Sequence, residues 1–547
     1  MFNPQNPRIM KNLKTTIKKF LTFFLTGLVI LLFNNCKDLT ENEIMLSDSA
    51  SDEQLISWNE LLDQVDLKSE IAFVQNGESI QEAVDAALPG EVIYIEPGIY
   101  PEDLTLNKSD VRLIGLSLEP NDLVINNGKE SNIEILKLYD QKSLDNFQKR
   151  SGNRGKRNRI SGFSRTEIAE GIAHYQFKVR MGPGEFDVVR IHRVVRENSP
   201  FHPVLTNGHV FMVHGAFTGF EGTFLKTGLL EGEINATNSA PVYLATQNID
   251  VWGIDMGWTM VPNDETLDFK FMKNWGYKKD ADHTRKAMCI ARMVRGFSGQ
   301  GFSGINLLGF SSGNTVAYAA ADRETQKQNW RKRHIKGLIS VDNAFKIENG
   351  EDSGCASAQT VADQIAGGIF ENTNGQFFQT LGFLALEYPN VVSPIFNDGS
   401  TTNIQAFRLV FAIDAFGFGF HFFGGDFSGL YYSDEERAIR VVANYSHYMP
   451  NLLWQEIDAV NCSSMNVNFD NHLNKISVPI FHIGANGGNG ESGNYTGTLT
   501  ASTDLTNYLV SASGVAATDF GHADNWVGQD AGPLMWSKLD SWIKSHH

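Results

Sequence analysis

Residues 305–318, INLLGFSSGNTVAY, constrain this chain more than any other stretch. An apolar run enters two adjacent serines, and a helical pattern of small and apolar residues leaves them. Gly309-Phe310-Ser311-Ser312-Gly313 has the spacing G-x-S-x-G. A serine at the centre of that spacing sits on a strand-to-helix turn so tight that only small neighbours permit it. Its hydroxyl then projects from the sheet edge. The N–H of the next residue points into the same space, at a helix N-terminus where negative charge is favoured. Ser298 and Ser303 each lie in a G-F-S-G run but lack the downstream glycine. Ser311 alone has the full spacing, with a strand pattern before it and a helix pattern after it.

The surrounding sequence repeats that alternation. From about residue 161 to the end, strand-like and helix-like segments alternate, which predicts an α/β fold with a mainly parallel sheet. The expected strands are HYQFKVRMG, FDVVRIHRVV, HVFMVHG (209–215), IDVWGID (249–255), INLLGF, IKGLISVD (335–342), VPIFHIG (478–484) and VAATDFGH (515–522). A long insertion from about 343 to 475 separates the sixth from the seventh. It holds Cys355 and Cys462, which an oxidising compartment could bridge. Cys289 lies in an apolar helical pattern and reads as a buried thiol.

The chain before residue 161 has a different character. Lys11, Lys14, Lys18 and Lys19 precede the short apolar run FLTFFLTGLVILLF, then NNCKD. This is the shape of a secretory signal over 1–36, and the run is short for a membrane-spanning helix. Cys36 sits where a bacterial lipoprotein carries its acylated cysteine, so the expectation is an exported envelope protein held to the outer membrane by a lipid on Cys36, with exposure at the cell surface as a further candidate. Residues 37–70 are acidic and read as a tether. In 71–137 a short amphipathic helix leads into β runs at 92–95, 104–106, 111–114, 123–125 and 133–136, with similar strands recurring after roughly 20 residues. This segment resembles the opening cap and first coils of right-handed parallel β-helix proteins of the pectate-lyase-like class. Its small size and its lack of paired acids or a basic cluster favour a docking or spacer module over a lyase, with polysaccharide as a candidate contact. Residues 138–160, including FQKRSGNRGKRNR, read as a basic solvated linker. The formal net charge of -17 and pI near 5.3 argue against a nucleic-acid partner.

Chain order supplies the remaining chemistry. His214-Gly215-Ala216 ends the third strand, Ser311 follows the fifth, Asp342 ends the sixth, and His522 lies near the C-terminus in DFGHADNW. In this order the chain resembles the α/β-hydrolase superfamily of serine esterases and lipases over roughly 161–547, with the insertion at 343–475 as its cap. The resemblance implies that Ser311 attacks as nucleophile, that His522 takes and returns its proton, and that the N–H groups of Ser312 and Ala216 hold the oxyanion. The acid is open. Most of the superfamily places it after the seventh strand, where GANGGNGESGNY offers only Glu491. Some lipases place it after the sixth, where Asp342 stands, and Asp342 ranks first. The cap segment FGFGFHFFGGDFSGLYY offers Phe418, Phe420, Phe422 and Phe423 as an apolar wall for an acyl or aromatic group. No cofactor is expected. No metal is expected either, because His482, His522 and Asp524 have no ligand-like spacing. Gly301 and its neighbours lack the lysine of a phosphate loop. The expected activity is hydrolysis of carboxylic esters. The alternatives are acyl transfer or amide hydrolysis at the same residues, or a surface carbohydrate-binding protein without turnover.

Overall fold

The computed structural model describes residues 71–547, except 107, 126–132, 139, 141, 144–159, 265, 351, 397 and 415–419. The signal segment, Cys36, the tether, almost all of the basic linker and Phe418 lie outside the described residues.

The N-terminal module contains β1 (Ile71–Val74), α1 (Ile80–Ala86), β2 (Val92–Ile95), β3 (Gly98–Tyr100), β4 (Arg112–Ser117), β5 (Leu123–Ile125) and β6 (Ile133–Lys137). β1, β2, β4 and β6 form one parallel ladder in that order, and β3 pairs parallel with β5. Ile71 pairs with Val92, Val92 with Arg112, and Leu113 with Ile133. Each turn of chain therefore advances by 20 or 21 residues. The expected strand at 104–106 does not form. Leu104 and Leu106 instead pack from a loop onto the core beneath α1.

Alternation sends the two faces of this ladder to different cores. Ala72, Val74, Ile93 and Ile95 pack with Ile80, Ala83 and Val84 of α1. Phe73, Tyr94, Ile114 and Leu116 pack with Cys289, Met293, Phe297 and Phe302 of the following unit. Burial pushes the Cys289 thiol up to about 12, so it is an apolar filler rather than a nucleophile. The Arg292 guanidinium lies 4.2 Å from the Phe73 ring centre, and a buried Lys332–Glu91 pair joins the two units.

The second unit is one mixed sheet with helices on its faces. Its strands are β7 (Ile160–Ala169), β8 (Ile172–Arg180), β9 (Val188–Ser199), β10 (His209–Val213), β11 (Asp250–Asp255), β12 (Ile305–Phe310), β13 (Ile335–Val341), β14 (Ile480–Ala485) and β15 (Leu505–Val510). They lie in the order β15-β14-β13-β12-β10-β11-β9-β8-β7. β10 to β15 are parallel, while β7, β8 and β9 add an antiparallel edge. Strands such as INLLGF and HVFMV are buried along their whole length, as parallel strands covered on both faces must be.

One strand is added and one moves. β7, absent from the expected strands, begins at Ile160, the last residue assigned to the linker. It is an edge strand whose residues after Ile160 are exposed or half-buried without regular alternation, too weak an apolar signal to read. The last strand is Leu505–Val510 rather than 515–522, which forms a turn instead. There Asp519 accepts the backbone N–H groups of Ala512, Ser513, Gly514 and Phe520, a knot incompatible with a ladder.

The longer helices of this unit are α2 (Ala240–Thr246), α3 (Tyr277–Phe297), α4 (Ser312–Thr325), α5 (Cys355–Ala366), α6 (Asn374–Glu387), α7 (Asn403–Phe411), α8 (Glu435–Ala443), α9 (Asn451–Ala459) and α10 (Ser537–Ser545). α5 to α9 all fall in the insertion between β13 and β14. A Cys355–Cys462 disulfide ties the start of α5 to the chain after α9.

Candidate active site

Strand order reverses beside β10. The chain passes from β10 to β11 on one side, then crosses to β12 on the other. A crevice opens at the carboxyl ends of strands at such a point. His214-Gly215-Ala216 leaves β10 there, and Ser311 leaves β12.

Ser311 has φ 54° and ψ -128°, outside the regions that a side chain normally allows. The cost is on the order of 1–3 kcal/mol. Both glycines of the pentapeptide are required by contact. A Cβ on Gly309 would lie 2.3 Å from the Gly313 carbonyl oxygen, and one on Gly313 would lie 2.4 Å from that of Val213. The chain thus folds back on itself within five residues and presses against β10. Ser311 N–H donates to Val341 O at 3.1 Å, and Asn343 Nδ2 donates to Ser311 O at 2.8 Å. The turn is clamped from β13.

Asp342 also has a positive φ, 47°, and is fully buried. Its Oδ2 lies 2.5 Å from His522 Nδ1. Its Oδ1 accepts the N–H of Ala485 at 2.8 Å and of Asn489 at 3.0 Å. Asn489 Nδ2 donates to the Asp342 carbonyl at 2.8 Å. A Cβ on Gly488 would stand 2.3 Å from Asp342 Oδ2. The glycine-rich loop after β14 therefore supplies amide donors and clearance for a carboxylate on β13. Glu491, the alternative acid, is exposed on that loop and has no hydrogen bond to His522. The structure brings Asp342, not Glu491, to the histidine.

His522 is held by three phenylalanines and a backbone ladder. Phe310 stacks on it at 4.5 Å between ring centres, and Phe420 and Phe422 each lie at 5.3 Å. His522 N–H donates to His421 O at 2.9 Å, and Ala523 N–H to Phe422 O at 2.6 Å. Asp524 accepts Gly424 N–H at 2.6 Å and Gly521 N–H at 2.7 Å. Its burial pushes its carboxyl up to about 6. Phe423 is fully buried against Phe407 and Phe411, so it belongs to the cap core rather than to a wall over Ser311.

Ser311 Oγ and His522 Nε2 are not hydrogen-bonded to one another in this conformation. Neither has another side-chain partner among the described residues, so each remains available to the other. The N–H groups of Ala216 and Ser312 likewise donate to no acceptor among the described residues. Gly215 sits so close to the nucleophile position that its Cβ would lie 3.5 Å from Ser311 Oγ. His214 orients this loop. Its Nδ1–H donates to Gly215 O at 2.8 Å and its Nε2 accepts Met256 N–H at 3.1 Å. Burial lowers His214, keeping the ring neutral for that pattern. His482 is spent structurally, with Nδ1 3.1 Å from Ser340 Oγ and Nε2 3.1 Å from Gly490 O.

No family model matches the chain, and no curated protein matches it. Among solved structures it is similar to a lipase candidate from Sulfolobus solfataricus, with 18% identity, 71% of this chain and 100% of that chain covered, and a TM-score of 0.48. It is similar to a monoglyceride lipase from Saccharomyces cerevisiae, with 12% identity, 71% and 96% covered, and a TM-score of 0.31. A proline iminopeptidase from Mycobacterium smegmatis shares 11% identity, with 70% and 98% covered and a TM-score of 0.31. These neighbours are hydrolases. At such scores the likeness carries no argument for reaction or substrate.

Proposed function

We propose that the chain is an exported serine hydrolase of carboxylic esters, built on the α/β-hydrolase plan and working through an acyl-serine. The observation that carries this reading is the strained Ser311 turn beside a buried Asp342–His522 pair and two backbone N–H groups that donate to no acceptor among the described residues.

In the proposed reaction Ser311 Oγ attacks the ester carbonyl carbon and passes its proton to His522 Nε2. Asp342 holds the imidazolium through Nδ1–H. The carbonyl oxygen, now an oxyanion, accepts the N–H groups of Ala216 and Ser312. Collapse breaks the bond to the alcohol oxygen, which leaves with the proton from His522. Water then repeats the sequence on the acyl-serine and restores Ser311. Phe420 and Phe422 beside His522 favour an ester with an apolar acyl or aromatic part.

The Cys355–Cys462 disulfide fits an oxidising compartment, in keeping with export and a lipid on Cys36. The register of the N-terminal ladder fits a short parallel β-helix, which we take as a docking or spacer module with polysaccharide as its candidate contact. Ester panels of graded acyl length, run on the purified chain and on Ser311→Ala, test the reaction. Hydrolysis by the parent and loss in the variant are expected. Equal rates from both would refute it.

A further inference from the structure

We propose that His174, His192 and Glu221 bind one divalent transition metal ion, zinc by preference, beside the loop that carries Ala216. His174 stands on β8 and His192 on β9, and Glu221 follows the 214–220 loop by one residue. The two imidazoles stack with ring centres 5.2 Å apart and planes 8° from parallel. His174 Nε2 lies 3.0 Å from His192 Nδ1, and ligand atoms of all three residues lie within 4.8 Å of one another. Both histidines are buried, while Glu221 is half-buried and opens the cluster toward solvent.

His192 Nε2 lies 3.1 Å from Asp255 Oδ2, within ion-pair distance but without hydrogen-bond alignment, and no other acceptor takes it among the described residues. A carboxylate beside the outer nitrogen is placed where the partner that orients a metal-bound histidine stands. Two imidazoles and one carboxylate form a donor set suited to zinc, with a fourth position left for water on the Glu221 side. Without an ion, His174 Nε2 and His192 Nδ1 share one proton between them, and Glu221 pairs with Lys226 at 2.6 Å.

The cluster touches the proposed oxyanion loop through shared parts. Asp255 Oδ1 accepts Phe220 N–H at 2.6 Å, and the Phe220 ring stacks on His192 at 4.7 Å. An ion here would fix the far end of the 214–220 loop. The residues are 18 and 29 positions apart on two strands and a turn, so no sequence spacing announces them.

The test is cobalt(II) titration of the untagged full chain after chelator treatment, without thiol reductant so that Cys355–Cys462 stays closed. A d–d absorption band saturating at one equivalent and displaced by zinc is expected. The thermal midpoint should rise by about 3 °C at a hundredfold excess over Kd. Glu221→Gln, on a half-buried side chain, should weaken binding at least about tenfold, and His174→Asn should abolish the band. No band in the parent chain overturns the proposal, as does a band of equal affinity in Glu221→Gln. Neither readout depends on ester hydrolysis.

Discussion

The Ser311 turn and the Asp342–His522 pair meet in one crevice but are built by opposite means. The turn is made by five consecutive residues. Its glycines are fixed by collisions with Gly313 O and Val213 O, so its chemistry is written in one short stretch. The pair is made by four distant segments: the end of β13, the loop after β14, the cap chain at 420–424 and the turn carrying His522. Local steric demands leave a local spacing in the sequence. Demands met by amides from elsewhere leave none.

The largest effect should come from the local half. Ser311→Ala should lower kcat for an ester by at least about 10⁴-fold, with circular dichroism unchanged. The distant half follows. Asp342→Asn should cost about 10³–10⁴-fold by fixing the wrong imidazole tautomer, while Glu491→Gln stays within about twofold. A reversed result would move the acid to the loop after β14. Gly488→Ala sharpens the contrast, since it alters no polar group yet drives a methyl toward Asp342 Oδ2. A loss of about 10–100-fold in kcat with folding intact is expected; unchanged kcat would mean that the loop does not position the acid.

Asp280 provides the control for what a buried carboxylate does without such a cradle. On α3 it accepts Trp258 Nε1–H at 3.3 Å, and burial pushes it up to about 7 from 3.8. The folded state therefore binds this proton more tightly than the unfolded state. Its stabilising effect is whole below about pH 4 and is lost as pH rises toward 7 and beyond. Asp280→Asn removes the titration. The stability of the variant relative to the parent should rise by on the order of 4 kcal/mol between pH 4 and pH 8, read by urea unfolding. A flat difference would place Asp280 in contact with water. The smallest effect is Ser312→Ala, which keeps the backbone N–H and should change kcat by less than about threefold.

This asymmetry also describes what the sequence reveals. INLLGFSSGNTVAY, the α/β alternation and the position of His522 are legible because apolar periodicity and steric spacing are contiguous signals. The 505–510 strand escapes because its residues alternate between exposed and half-buried, while VAATDFGH looks more strand-like than the knot around Asp519 that it forms. The glycine-rich loop after β14 reads as offering only Glu491 as an acid. Its actual contribution, amides for a carboxylate on a neighbouring strand, becomes visible only when β13 and β14 are paired.

Labelling with an alkyl phosphonate probe, followed by peptide mass mapping, tests the central claim most directly. A single phosphonate adduct on Ser311 is expected, absent in Ser311→Ala and strongly slowed in Asp342→Asn. An adduct on another serine, or none on a correctly folded chain, would contradict the assignment of Ser311 as a nucleophile.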